Sequence, residues 1–164
     1  MSDHNVSGWA WSCIGDLGEV SGGLTKNSSR SGLSNQLPYL RVANVYANEL
    51  RLDDISQLGV KDTELKRVLL KKGDLLVVEG NGSIDQIGRV AEWQGQITPC
   101  THQNHLIKIR PFTPDGRFIL YWLLSADGRD EIVRVASSTS GLHTLSLSKV
   151  RCFLTPWCPL PEQY

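Results

Sequence analysis

The run Leu75-Leu-Val-Val78 has no polar face. It sits between a turn signal, Lys72-Gly73-Asp74, and a loop, Gly80-Asn-Gly-Ser-Ile-Asp85, and is too short for a helix. It therefore reads as a strand buried on both sides, which the chain has to cover from two directions. Ile87-Gly-Arg-Val-Ala-Glu-Trp93 follows as its hairpin partner across a wide loop. Pro38 to Tyr46 reads as a strand entering a turn, with Leu40 and Val42 on one face and Tyr39, Arg41 and Ala43 on the other. Gln103 to Arg110 alternates His105, Ile107 and Ile109 against Leu106, Lys108 and Arg110, and is a further strand. Asp62 to Val68 is one or two helical turns capped by Asp62.

After residue 115 the period changes. Asp115 is placed to cap a helix carrying Phe118, Ile119, Trp122 and Leu123; Ala126-Asp-Gly128 stops it, and Asp130 to Ala136 is a second short helix. Cys152-Phe-Leu154 is a short last strand, and the tail from Thr155 to Tyr164, with three of the seven prolines, is extended. The expected fold class is α+β: a single domain over residues 1–164, with a curved mixed β-sheet body and a few short helices.

Composition narrows the function. Seventeen Lys and Arg balance seventeen Asp and Glu, so bulk charge alone does not hold this chain to nucleic acid, although a local basic stripe fits inside a neutral total. No apolar run approaches the roughly 18 residues of a membrane span. Met1-Ser-Asp-His-Asn5 puts no basic flank before an apolar region, so the expectation is a cytoplasmic protein without a secretory signal. Cys13, Cys100, Cys152 and Cys158 form no CxxC and read as reduced and mostly buried. Cys100, His102 and His105 have a C-x-H-x-x-H spacing, but on a strand they would not share a face, and no metal is expected there.

Catalytic signatures are missing: no G-x-S-x-G, no phosphate-binding loop, no G-x-G-x-x-G and no H-E-x-x-H. What stands out instead is a set of polar, glycine-containing loops over residues 21–36, 80–86 and 137–144. Their side chains suit phosphates and base edges: Arg or Lys to guanine, Asn or Gln to adenine, Ser and Thr to phosphates. The candidate DNA-binding residues are Lys26, Arg30, Arg41, Asn44, Asn81, Ser83, Arg89, His102, Gln103, Asn104, Ser138, Thr139 and His143. Any one of these loops alone would pass for solvated surface.

In order along the chain, Trp11, Ile14-Gly-Asp-Leu-Gly-Glu-Val20 and Gly23, then Leu37-Pro-Tyr-Leu-Arg-Val-Ala-Asn-Val45, open a family pattern. Leu70-Lys-Lys-Gly-Asp-Leu-Leu76 with Glu79-Gly-Asn-Gly-Ser83 and Ile87-Gly-Arg-Val-Ala91 is its most specific stretch. His102-Gln-Asn-His-Leu-Ile-Lys-Ile-Arg-Pro111, Ser138-Thr-Ser-Gly-Leu142 and Pro159-Leu-Pro-Glu-Gln163 complete it. Over about residues 9 to 163 the chain resembles the target recognition domain of the specificity subunit of type I restriction-modification systems.

The resemblance implies a non-catalytic domain that reads one half of a split DNA target. It also implies a second such domain joined through two long spacer helices, and modification subunits that bring S-adenosylmethionine and methylate adenine. Restriction subunits join the larger complex; this chain itself would hold no cofactor. The chain ends at Pro161-Glu-Gln-Tyr164, where the family's spacer helix should begin, so that helix is missing. The competing expectation is a protein-interaction or regulatory half-subunit that docks through Trp9, Trp11, Trp157 and the tail without reading DNA. A small metal enzyme built on Cys100, His102 and His105 is the third.

Overall fold

The computed structural model describes residues 9–113, 116–139, 142–158 and 160–162, with the side chains of all of these except 81, 137–139 and 160. In chain order the elements are β1 (Ala10–Cys13), α1 (Ile14–Leu17), β2 (Gly18–Gly22), β3 (Gln36–Leu40), β4 (Val45–Tyr46), β5 (Glu49–Leu50) and β6 (Ser56–Gly59). There follow α2 (Asp62–Val68), β7 (Leu75–Val78), β8 (Gly80–Asn81), β9 (Val90–Glu92), β10 (Thr101–His102) and β11 (Leu106–Pro111). The last elements are α3 (Arg117–Leu124), α4 (Ala126–Val135), β12 (Ser137–Thr139), β13 (Leu142–Thr144), α5 (Leu147–Arg151) and β14 (Leu154–Trp157).

The centre is an antiparallel sheet in the order β2-β11-β7-β9. All four residues of β7 are buried, and successive side chains enter different cores. Leu75 and Val77 join Val20, Ile107, Ile109 and the helical residues Ile119, Leu123, Ile132 and Val150. Leu76 and Val78 join Leu40, Val45, Ala91, Trp93 and Leu106 on the other face. A third small core, with Leu24, Tyr39, Leu58, Val60 and Val68, lies under a three-stranded sheet ordered β10-β3-β6. The expectation of a mixed sheet is met there: β10 runs parallel to β3.

A buried ion pair fixes one end of the central sheet. Asp74, 1% exposed, receives two 2.7 Å hydrogen bonds from the Arg110 guanidinium and a third from the backbone N–H of Lys71. Arg110 also donates to the carbonyl of Leu69, so β11 is tied to the turn that leads into β7. A buried carboxylate holds only while such partners are present.

Several sequence expectations change. The strand after Gln36 ends at Leu40, and Val42 to Asn44 form a 3₁₀ turn. Tyr39 and Leu40 do lie on opposite faces, as the alternation expects, and both are buried, in different cores. Lys108, which the alternation sets on one face with Leu106 and Arg110, is fully buried, its ammonium donating to the Arg67 carbonyl at 2.6 Å. Ala126-Asp-Gly128 does not stop a helix but starts α4: the Ser125 hydroxyl accepts from the Gly128 N–H at 3.1 Å and caps it. A Cβ at position 128 would collide with the Trp122 carbonyl, so only glycine lets α3 and α4 meet this closely. Asp62 is the first residue of α2 rather than its cap, which is Lys61, and Asp115 lies outside the described residues. The closing strand is Leu154–Trp157, preceded by α5, and it pairs antiparallel with β1. All four cysteines are free; Cys100 and Cys158 are buried, Cys13 is half-buried and Cys152 exposed. Among the described residues no helix is long and apolar enough to cross a membrane.

Replacing Arg110 with Met would leave the Asp74 charge buried and unpaired. We expect a loss of about 3–5 kcal/mol of unfolding free energy in urea titration, the range for breaking a buried pair from one side. An unchanged midpoint would show that the pair does not anchor the sheet.

Candidate nucleic-acid interface

Because neighbouring strands of the central sheet are antiparallel, the C-terminal ends of β2 and β7 and the N-terminal ends of β11 and β9 lie at the same edge. The register pairs Gly22 with Ile107, Val78 with Leu106 and Val77 with Val90. The Asp74–Arg110 pair is at the opposite edge. Most of the sequence-predicted residues emerge from the first edge.

Gly23 follows β2 and packs so closely on the next strand that a Cβ would collide with the carbonyls of His102 and Gln103. Leu24 then bridges Gln103 and accepts from the Asn104 N–H at 3.0 Å, so the loop carrying exposed Lys26 starts beside Gln103 and Asn104. His105 caps the same edge: its ring nitrogen is 3.0 Å from the Glu79 carboxylate, which follows β7. The Glu79 carbonyl accepts from Leu145, and β8 continues into a three-stranded ribbon ordered β12-β13-β8. Its backbone register sets Ser138, His143 and Asn81 in one cross-strand row, with Thr139 opposite Leu142. Ser83 is exposed in the loop just beyond.

A cationic cluster flanks this row. Arg89, held to the Gln86 side chain at 3.0 Å and to the Val42 carbonyl at 3.4 Å, puts its guanidinium 4.9 Å from the centre of the Tyr46 ring. Arg51 lies over the same ring at 3.9 Å, a cation–π distance. Arg51 is exposed and also pairs with Glu49 at 2.9 Å. Arg41 completes the group, held to the exposed Asp54 at 2.7 Å. Tyr46 and Arg51 escaped the sequence reading. The aromatic and the Arg flanking the short polar turn Ala47-Asn48 were the available signal, and Asn48 takes the left-handed conformation that closes this hairpin (φ 55°).

Three predicted residues turn inward instead. Asn44 is buried: its side-chain oxygen accepts from the Arg41 N–H at 2.8 Å and its amide donates to the carbonyls of Arg51 and Asp54. It shapes the turn that presents Arg41 and Arg51 rather than meeting a ligand. Arg30 makes a two-pronged bond to Glu64 at 2.8 and 2.9 Å and donates to the carbonyls of Thr25 and Gly59, closing the 21–36 loop onto α2. His102 is fully buried, with Nδ1 3.0 Å from the Leu106 carbonyl and Nε2 without a partner among the described residues. The carbonyl can only accept, so the proton sits on Nδ1. Burial, reinforced by the nearby Lys108 charge, pushes the imidazole down to about 3. Cys100 is buried as well, its thiol pushed up to about 12 by desolvation. Among the described residues no three His, Cys, Asp or Glu side chains gather as a metal site.

The site is thus an edge of loops with mixed amide, hydroxyl, imidazole and guanidinium groups. It offers hydrogen-bond donors and acceptors to base edges and cations to phosphates.

A match to curated proteins covers nearly the whole chain. It is 29% identical over 154 residues to the type I restriction enzyme EcoKI specificity subunit of Escherichia coli K12, covering 90% of this chain and 32% of that protein. It is 26% identical over 167 residues to the type I restriction enzyme StySPI specificity subunit of Salmonella potsdam, covering 99% of this chain and 35% of the relative. The chain therefore spans about a third of the length of the curated relatives it matches. Among solved structures, the HsdS subunit from Thermoanaerobacter tengcongensis superposes with a TM-score of 0.64 at 19% identity, covering 96% of this chain and 35% of that one. The type I restriction-modification S subunit from M. genitalium gives 0.61 at 14% identity, covering 99% and 38%. No family model matches the chain.

His102 and Glu64 give acid stability different windows. The folded pKa of His102 lies below its ordinary 6.5, so the unfolded chain binds the extra proton and this contribution is lost as pH falls from about 6.5 towards 3. The Arg30 guanidinium holds Glu64 down to about 2, so its contribution is present above pH 4.5 and lost below it. We expect His102→Gln to flatten unfolding free energy against pH between about 6.5 and 4.5, and Glu64→Gln to flatten it only below that, in urea titrations across pH. Curves parallel to the wild type in both windows would refute the assignment.

Proposed function

We propose that this chain, a homologue of type I restriction enzyme specificity subunits, reads one half of a bipartite double-stranded DNA target for a type I restriction-modification complex. The observation that carries the reading is the sequence match to two specificity subunits over 90% and 99% of the chain. The polar edge of the central sheet supports it, since it collects groups that suit base edges and phosphates. On this reading the domain catalyses nothing by itself. Modification subunits bind it and supply S-adenosylmethionine and the methyl transfer, with restriction subunits joining the larger assembly. A second recognition domain, or another copy of this one, reads the other half-site.

Lys26 and Arg51, both exposed, and the half-buried Arg41 and Arg89 hold phosphates. Gln103, Asn104, Asn81 and His143 face bases, with Ser83, Ser138 and Thr139 serving backbone or base contacts. Asn44, Arg30 and His102 act only by shaping the loops. The formal neutrality of the chain fits a reader whose partners supply much of the phosphate grip, so its own binding is weak and strongly salt-dependent.

The test is selection from a random double-stranded oligonucleotide pool on the immobilised chain at low salt, followed by sequencing. We expect enrichment of one short motif. A bound pool as random as the input would overturn the reading in favour of a docking module. With the selected duplex, Arg51→Ala and Lys26→Ala should weaken binding to all sequences alike and lower the salt slope by about 1 each, whereas Gln103→Ala or Asn104→Ala should relax preference at one base pair. Uniform effects from every substitution would sink the division between phosphate and base contacts.

A further inference from the structure

On the side of the central sheet covered by helices lies an aromatic groove. Its floor is Trp11 of β1, Trp122 of α3 and Leu154 of β14, and its rim is Asp127, Asp130 and Glu131 of α4, with Arg134 at one end. The volume is about 480 Å³, within the range of built binding sites. The floor is fixed: the Trp122 indole donates to the Leu154 carbonyl at 3.1 Å, and the Trp11 ring meets Trp122 edge-on at 5.7 Å. Yet Trp11 is 52% exposed and Leu154 45%. A second hollow of about 260 Å³, lined by Trp9, Phe118, Tyr121 and Pro156, shares Trp122 and extends the apolar surface. Contiguous exposed aromatics on this scale mark interaction surfaces.

Charge decides the occupant. Arg134 is engaged by Glu131 through bonds of 2.7 and 2.8 Å, while Asp127 and Asp130 pair with no cation among the described residues. An acidic rim repels nucleic acid. It also repels a second copy in a two-fold contact, where like rims would face each other. We infer that this groove docks a cationic amphipathic segment of a partner protein, with apolar anchors against Trp11 and Leu154 and Lys or Arg against Asp127 and Asp130. None of the groove residues is among those assigned to DNA, so the inference stands or falls independently of that reading.

The test uses the isotope-labelled full chain and two helical amphipathic peptides, one of Leu and Lys, one of Leu and Glu. The Leu/Lys peptide should bind, shift the indole N–H signal of Trp11 and leave those of the polar edge in place. Trp11→Ala should weaken it by about tenfold, as should the conservative pair Asp127→Asn with Asp130→Asn, which keeps the fold of α4. Equal binding of both peptides, shifts mapping elsewhere, or affinity untouched by these variants would overturn the proposal. So would self-association by sedimentation that Trp11→Ala abolishes, since a second copy would then occupy the groove.

Discussion

The pair between Asp74 and Arg110 is the contact on which the arrangement of the polar edge depends. The carboxylate is almost wholly removed from water, and its oxygens are occupied by the guanidinium fork and the Lys71 N–H. A charge in that position is tolerated only at one geometry, so it fixes where β7 begins against where β11 ends. These two strands form the middle of the four-stranded sheet. Setting their register at one edge sets it at the other, where residues 79–81 and 103–105 leave the sheet. The same turn bonds Gly73 and Asp74 reciprocally with Trp93, which brings the far strand of the hairpin into line.

The double-faced strand explains how such an edge coexists with a stable body. Leu75 to Val78 feed two cores, one closed by helices and one by the smaller strands. Neither core uses the side chains of residues 26, 51, 83 or 104. Loop residues at the edge can therefore change without opening a cavity, because the apolar burial lies on the sheet faces. Asn44 and Arg30 are the exceptions: they are polar, but they are spent on backbone carbonyls and Glu64, and a change there moves whole loops.

What could be read from the sequence divides along the same line. Leu75–Val78, its hairpin partner and α2 were legible because short-range patterning dictates them. Lys108 was not, since only the Arg67 carbonyl, 41 residues away in sequence, makes its burial tolerable. Ala126-Asp-Gly128 looked like a stop because glycine is a poor helix former; the tight approach of Trp122 that demands it is a tertiary fact. At the site, amides, hydroxyls and cations in glycine-rich loops were legible, and the fold gathers most of them at one edge of the central sheet. Which of them turn inward was hidden: His102 and Gln103 are adjacent in sequence, yet one is sealed in the core and the other half-buried at the rim. Tyr46 and Arg51 are the reverse case, an aromatic and a cation either side of a hairpin whose turn at Asn48 brings them together beside Arg89.

The equal count of seventeen cations and seventeen anions then acquires a spatial meaning. Acids at the polar edge are mostly engaged, Glu79 with His105, Glu49 with Arg51, Asp54 with Arg41. Such exposed pairs are weak and exchange readily, so a phosphate can take the place of the carboxylate at little cost. On α4, by contrast, Asp127 and Asp130 line a groove with two indoles and pair with no cation among the described residues. The neutral total is therefore spread unevenly over the surface. Guanidiniums at the polar edge sit beside carboxylates in pairs that exchange with solvent ions, whereas the α4 groove carries two carboxylates outside any such pair among the described residues.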